Sequence, residues 1–307
     1  MRYNPRARLN RGQVEVRGDG GGGGGMGFPG LGSGGSGMKV GGGIGGLIIV
    51  VIIILLGGGN LLGGGASDTG NGATTGSQPN CQTGADANKN LVCALTADVN
   101  AVQAFWATEL PRQTGVQYSN ATAVLFTIGT QTGCGQAQSA MGPFYCPVDK
   151  RVYLDPTFFR SMLQGELHAR GGLFAEAYVL AHEYGHHVQD LLGTMGRVRT
   201  QQGPTSDSVR LELQADCFAG IWAKNATTVK DSGGQPYILD LTQDDIDRAI
   251  NAAKAVGDDT IQKETSGRVN PEQWTHGSSA ERIRWFGVGF RQGTIKACDT
   301  FSAQSLG

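Results

Sequence analysis

The spacing of apolar positions changes several times along the chain, and each change predicts a different element. Leu47 to Leu56 reads LIIVVIIILL without a break, and no charged residue occurs from Val40 to Ser67. A bilayer takes about 20 such residues. The ten-residue centre alone would also suit the apolar region of a cleaved signal, or a buried core element. A long basic leader and no convincing small-x-small cleavage site after it favour an uncleaved anchor over residues 40–62. The polar run ASDTGNGATTGSQPN follows with no apolar periodicity, which predicts a linker over residues 63–80.

Beyond the linker the spacing becomes helical. Val99, Val102, Phe105 and Trp106 predict a helix from Thr96, as N-cap, to Leu110, stopped by Pro111. Ala123 to Ile128 reads as a strand. Phe144 to Asp155 reads as two short strands about a Pro-Val-Asp-Lys turn, with Asp155 capping a helical turn that starts at Pro156. Long helical patterns then occupy Leu173 to Leu192, Ser206 to Ala223 and Leu241 to Val256, the last capped by Thr242, and another follows Ser278 or Ser279. Strands ahead of long helices predict an α+β domain over residues 81–307.

Composition divides the chain in the same place. Of 51 glycines, 25 lie in the first 65 positions, so residues 1–39 read as a flexible, basic, Gly-rich tail. Arg2, Arg6, Arg8, Arg11, Arg17 and Lys39 against Glu15 and Asp19 give it +4, leaving −5 for the rest of a chain whose net charge is −1. Positive charge stays cytoplasmic, which predicts one pass through the cytoplasmic (inner) membrane, the N-terminus in the cytoplasm and the domain periplasmic or extracellular. The near-neutral balance excludes a broadly basic nucleic-acid binder. All six cysteines follow the apolar stretch, as an oxidising compartment would require. Fifteen pairings are possible; equal twelve-residue spacings favour Cys81–Cys93 and Cys134–Cys146, leaving Cys217 for Cys298.

The chemistry is concentrated in the long helices. His182, Glu183 and His186 form H-E-x-x-H within LFAEAYVLAHEYGHHVQDLL. Residues four apart share a helix face, so both imidazoles can address one Zn2+ ion. Glu183, one position round, can take a proton from the attacking water. No third histidine follows at the metzincin spacing. In LELQADCFAGIWA, Glu212 and Asp216 lie one turn apart; Glu212 is the expected third ligand and Asp216 the partner for the free N–H of a ligand imidazole. His276, just before the last helix, can donate a hydrogen bond to a developing oxyanion, and Arg282 can do likewise or pair with an acid of the site. His187 points about 100° away from His186 and reads as structural or rim, and His168 has no evident partner. No serine-nucleophile elbow or phosphate-binding loop is present.

The glycine-rich basic N-terminus, the single apolar segment, YCPVDKRVYLD, AHEYGHHVQ, LELQADCFAGIWA and THGSSAERIRWF together resemble the bacterial putative neutral zinc metallopeptidase family over nearly the whole chain. The order HEYGH, Glu212 and Asp216, then His276 and Arg282, is more distantly similar to the gluzincin arrangement of integral-membrane heat-shock and prenyl-protein proteases. The resemblance implies a zincin-like fold, zinc on His182, His186 and Glu212, Glu183 as base and His276 as a transition-state donor. Those membrane proteases have several spans and this chain has one, so their substrates do not carry over. The expectation is a membrane-anchored zinc endopeptidase acting on a protein or peptide. The rival expectation is a cell-envelope scaffold that keeps zinc for folding; four protein ligands and no Glu183 would suit it better. The sequence does not give the substrate or the oligomeric state.

Overall fold

A computed structural model describes residues 1–18 and 79–307. The expected span at residues 40–62, and the expected linker as far as residue 78, lie outside the described residues.

The domain is α+β. Its main sheet has four strands in the order β2-β3-β7-β6: β2 (Val14–Val16), β3 (Thr122–Leu125), β7 (Arg151–Leu154) and β6 (Phe144–Cys146). The first three are parallel and β6 is antiparallel to β7, with Phe144 opposite Tyr153. The predicted pair of short strands is present. A hairpin of β4 (Gly129–Thr132) and β5 (Gly135–Gln138) follows β3, and β1 (Arg2–Tyr3) pairs with β8 (Ile238–Asp240). The expected strand at 123–128 stops at Leu125, because the backbone turns away at Ile128, which has φ 68°.

Residues 1–18 correct the sequence reading. They are a folded strap rather than part of a flexible tail. Tyr3 and Ala7 are fully buried, and the Tyr3 hydroxyl donates to Asp98 at 2.9 Å. Asn10 N–H donates to Asn100 Oδ1 at 2.7 Å, and β2 forms an edge of the sheet. The strap satisfies its backbone polar groups with partners far away in sequence, which composition does not reveal.

The helix expected at 96–110 is longer at both ends. Helix α1 spans Leu91–Thr114, capped by Asn90, whose side chain accepts from the N–H groups of Val92 and Cys93. Thr96 lies inside it, its hydroxyl turned back onto the Val92 carbonyl. Pro111 does not stop it; Gly115 does, in the left-handed region at φ 77°. By length and composition α1 could cross a bilayer, but Leu95, Val99, Val102 and Trp106 are fully buried in the protein core.

Helix α2 (Leu173–Leu191) and α3 (Asp207–Asn225) pack together at the centre. Then come α4 (Gln243–Ala255), with Thr242 as predicted cap, α5 (Asp258–Ser266) and α6 (Ser279–Gln292), capped by a Ser278/Glu281 box. Helix α6 crosses α3 where both carry glycine. A Cβ on Gly220 would overlap the Phe286 carbonyl, and one on Gly289 the Cys217 carbonyl. The disulfides are Cys81–Cys93, Cys134–Cys146 and Cys217–Cys298; the last ties α3 to the turn after α6.

Candidate metal centre

Helix α2 delivers His182 and His186 from consecutive turns, and α3 brings Glu212 against them. Glu212 Oε2 lies 3.1 Å from His182 Nε2, and Oε1 lies 3.4 Å from His186 Nε2. One donor atom from each of the three residues falls within 4.8 Å of the others. Gly185 permits this approach: a Cβ there would stand 3.0 Å from the Ala215 carbonyl oxygen of α3.

The outer nitrogens of both imidazoles are occupied. His182 Nδ1 lies 2.9 Å from Asp216 Oδ1, and His186 Nδ1 lies 2.8 Å from Gln189 Oε1. A hydrogen on each Nδ1 leaves both Nε2 lone pairs facing Glu212, the tautomer a metal requires. Gln189 is itself held by the Leu211 carbonyl and Gln214 Oε1. The sequence reading missed it; its place one turn beyond His186 was the available signal.

Asp216 is fully buried and accepts from Tyr178 hydroxyl at 2.5 Å, Arg282 Nε at 2.8 Å and Arg282 Nη2 at 3.0 Å. Burial opposes its charge, but Arg282 and His182 outweigh that and hold its pKa down to about 2. Burial likewise opposes the charge on Glu212, yet His186 and His276 keep its carboxyl well below the usual range. For His182, burial is outweighed by Asp216, and the pKa rises to about 10 before any metal competes with the proton. Glu183 is 7% exposed, and burial raises its pKa.

His182, His186 and Glu212 line a cavity of about 110 Å³. Glu183, His276 and Arg282 face it, and Phe144, Phe158, Met162, Val179 and Ile261 make the wall apolar. His276 is placed by Asp258 at the start of α5. One oxygen of Asp258 accepts the backbone N–H groups of Thr275, His276 and Gly277 at 2.7, 2.7 and 3.0 Å, while the other lies 3.4 Å from His276 Nδ1. Thr275 Oγ1 lies 2.7 Å from the same nitrogen. Asp258 too was missed; its only sequence signal is an acid directly after Gly257.

All seven residues singled out in the sequence therefore converge. The two histidines set aside lie elsewhere. His187 is buried between Tyr145 hydroxyl and the Ser119 carbonyl, and His168 occupies a turn at φ 54°.

The family profile described as putative neutral zinc metallopeptidase matches residues 1–301. The chain belongs to this family. Among its relatives, the uncharacterized protein Rv2575 of Mycobacterium tuberculosis is 52% identical over 229 residues, 74% of this chain and 76% of the relative. The uncharacterized protein YpfJ of Escherichia coli K12 is 42% identical over 218 residues, 69% and 70% of the two chains. No solved structure matches the chain. The matched region begins at residue 1, so it includes the N-terminal strap. The zinc in the family's name fits the three donors: two imidazoles and one carboxylate, brought within 4.8 Å of one another, could hold such an ion.

Proposed function

We propose that this member of the family is a zinc-dependent endopeptidase with a zincin-like active-site arrangement, held at a membrane through the apolar stretch at residues 40–62. The observation that carries the reading is the convergence of His182 Nε2, His186 Nε2 and the Glu212 carboxylate beside a cavity that Glu183 also faces.

His182, His186 and Glu212 would hold the ion. Zinc, when bound, supplies a Lewis acid that polarises a carbonyl oxygen and acidifies a water. Glu183 takes the proton of the attacking water on its carboxylate and passes it to the leaving amine. The buried setting that raises the proton affinity of Glu183 suits both halves of that exchange. His276 donates from Nε2 to the oxygen that gains charge, its Nδ1 being engaged by Thr275 Oγ1 at 2.7 Å and the Asp258 carboxylate at 3.4 Å. Asp216 holds the His182 ring, and Arg282 holds Asp216. The apolar wall seats an apolar side chain next to the scissile bond and excludes water from it.

The first experiment is zinc content of the disulfide-intact chain beside Glu212→Ala and Glu183→Gln. One zinc per wild-type chain, its loss in Glu212→Ala and its retention in Glu183→Gln are expected, with peptide cleavage falling by roughly 100-fold or more in Glu183→Gln. A wild type without metal would sink the reading, and zinc retained without Glu212 would remove the third ligand. Zinc bound while neither the wild type nor Glu183→Gln cleaves any peptide would leave the scaffold, and cleavage unaffected by Glu183→Gln would remove Glu183 as the base.

A further inference from the structure

The strap and the main domain interlock where the intervening segment leaves and returns. Leu9 N–H donates to the Gln82 carbonyl at 2.9 Å, Gly84 N–H donates to the Ala7 carbonyl at 2.9 Å, and Arg11 Nη1 lies 3.5 Å from Asn80 Oδ1. Val14, Val16 and Pro79 share the wall of one small cleft. Further along the strap, Arg8 N–H donates to Asp231 at 2.6 Å, and the Met1 ammonium pairs with Asp245. These contacts reach α1, the sheet, the 229–240 region and α4. Residues 1–18 are thus built into the fold.

A single crossing by the apolar stretch would place the strap and the domain on opposite sides of a hydrocarbon layer about 30 Å thick. No part of the interlock would survive that. Tyr3 would leave the buried Asp98 carboxyl, and β3 would lose its neighbour in the sheet. A second copy offers no remedy, because every copy with that topology carries its strap on the same wrong side. The charge argument for a cytoplasmic N-terminus weakens as well. Arg2 is paired with Asp240 at 3.0 Å and Arg17 with Glu15 at 2.8 Å, so these cations have partners in the folded unit.

We infer that residues 1–18 and 79–307 form one unit, so that both ends of the intervening segment, residues 18 and 79, lie on the same membrane face. The three disulfides place the shared face in an oxidising compartment, so the N-terminus is outside with the domain.

The test uses the full-length chain in a bacterial cytoplasmic membrane, with a C-terminal tag. One variant carries a site for an added protease within residues 20–25, and another carries it at residues 74–77. Cleavage of both in intact spheroplasts is the expected result, and in the second variant the tag stays with the membrane, because the docked strap still joins the domain to the apolar stretch. A site at residues 20–25 that resists until lysis, while the site at 74–77 is cut, would overturn the inference. Protection of both until lysis would overturn the outside placement. Strap docking is checked separately by Tyr3→Ala in the detergent-solubilised full chain, where a Tm loss of roughly 5 °C or more is expected; an unchanged Tm would overturn the interlock. Zinc content and peptide cleavage are read in parallel, so failure of the topology and failure of the peptidase reading are told apart.

Discussion

Asp216 Oδ1 lies 2.9 Å from His182 Nδ1 while Oδ2 of the same carboxylate lies 2.8 Å from Arg282 Nε, although the partners are 34 and 66 positions away. One buried carboxylate thereby joins the His182 face of α2 to α6. Its two partners predict two separable effects. Asp216→Asn keeps the shape but weakens the hold on the imidazole, and zinc affinity should fall by about 10- to 100-fold in a chelator competition. Asp216→Ala also leaves Arg282 buried and unpaired, a further cost of roughly 3–5 kcal/mol that denaturant unfolding would read. Equal zinc affinity in wild type and Asp216→Asn would show that the contact does not support the ligand.

His276 should matter to rate more than to binding. Replacing it by Ala removes a donor to the developing charge, so kcat on a cleaved peptide is expected to fall on the order of 100-fold with little change in KM or zinc content. Asp258→Asn should reproduce part of that loss, because the carboxylate positions the 275–277 backbone as well as the ring. A KM effect alone would reassign His276 to substrate binding.

Asp98 controls a pH dependence of opposite sign to that of the ion-paired acids. Burial, reinforced by nearby Glu176, raises its pKa well above 3.8, against the hydrogen bond from Tyr3. The folded chain then keeps a proton that the unfolded chain releases near pH 3.8. Its contribution to stability is complete below that pH and is lost as the pH climbs toward the raised folded value. Asp98→Asn removes the titration while keeping an acceptor for the Tyr3 hydroxyl. The Tm of Asp98→Asn relative to wild type should therefore increase steadily from pH 5 to pH 8; a constant difference over that range would contradict the assignment.

The Cys217–Cys298 bridge closes a loop with a sequence separation of 81. Loop entropy assigns it about 4 kcal/mol. A Cys217→Ala/Cys298→Ala pair should lower unfolding free energy by roughly 2–5 kcal/mol in urea titrations. The bridge lies on the α3 turn that follows Asp216, so zinc retention in the folded double variant should stay close to wild type. Loss of zinc at full helicity would mean that the bridge also sets the position of Glu212.

Much of the centre was legible because its rules are local. The i, i+4 spacing of His182 and His186, and of Glu212 and Asp216, puts each pair on one face whatever surrounds the helix. The Thr242 and Ser278 caps are equally local, and the short-range disulfides followed from matching intervals. Other parts had no local signature. Thr96 looks like a cap and Pro111 like a stop, yet Asn90 and Gly115 bound the helix, because burial along α1 outweighs the loss of one N–H. Gln189 and Asp258 are ordinary polar residues until the chain brings them against His186 and His276. The strap was misread because two- and three-residue strands carry no periodicity, and glycine beyond residue 18 dominated the composition around them.

By itself, the sequence determined the donor types, their helical phase, the oxidised cysteines and the order of strands before helices, since each depends on residues close together along the chain. The tertiary structure decided that α3 meets α2 through Gly185, that Asp258 presents His276 to the cavity, and that residues 1–18 belong to the same folded unit as the metal centre. Those decisions rest on packing and hydrogen bonds between positions tens to hundreds of residues apart, whose free energy exists only once the chain has closed on itself.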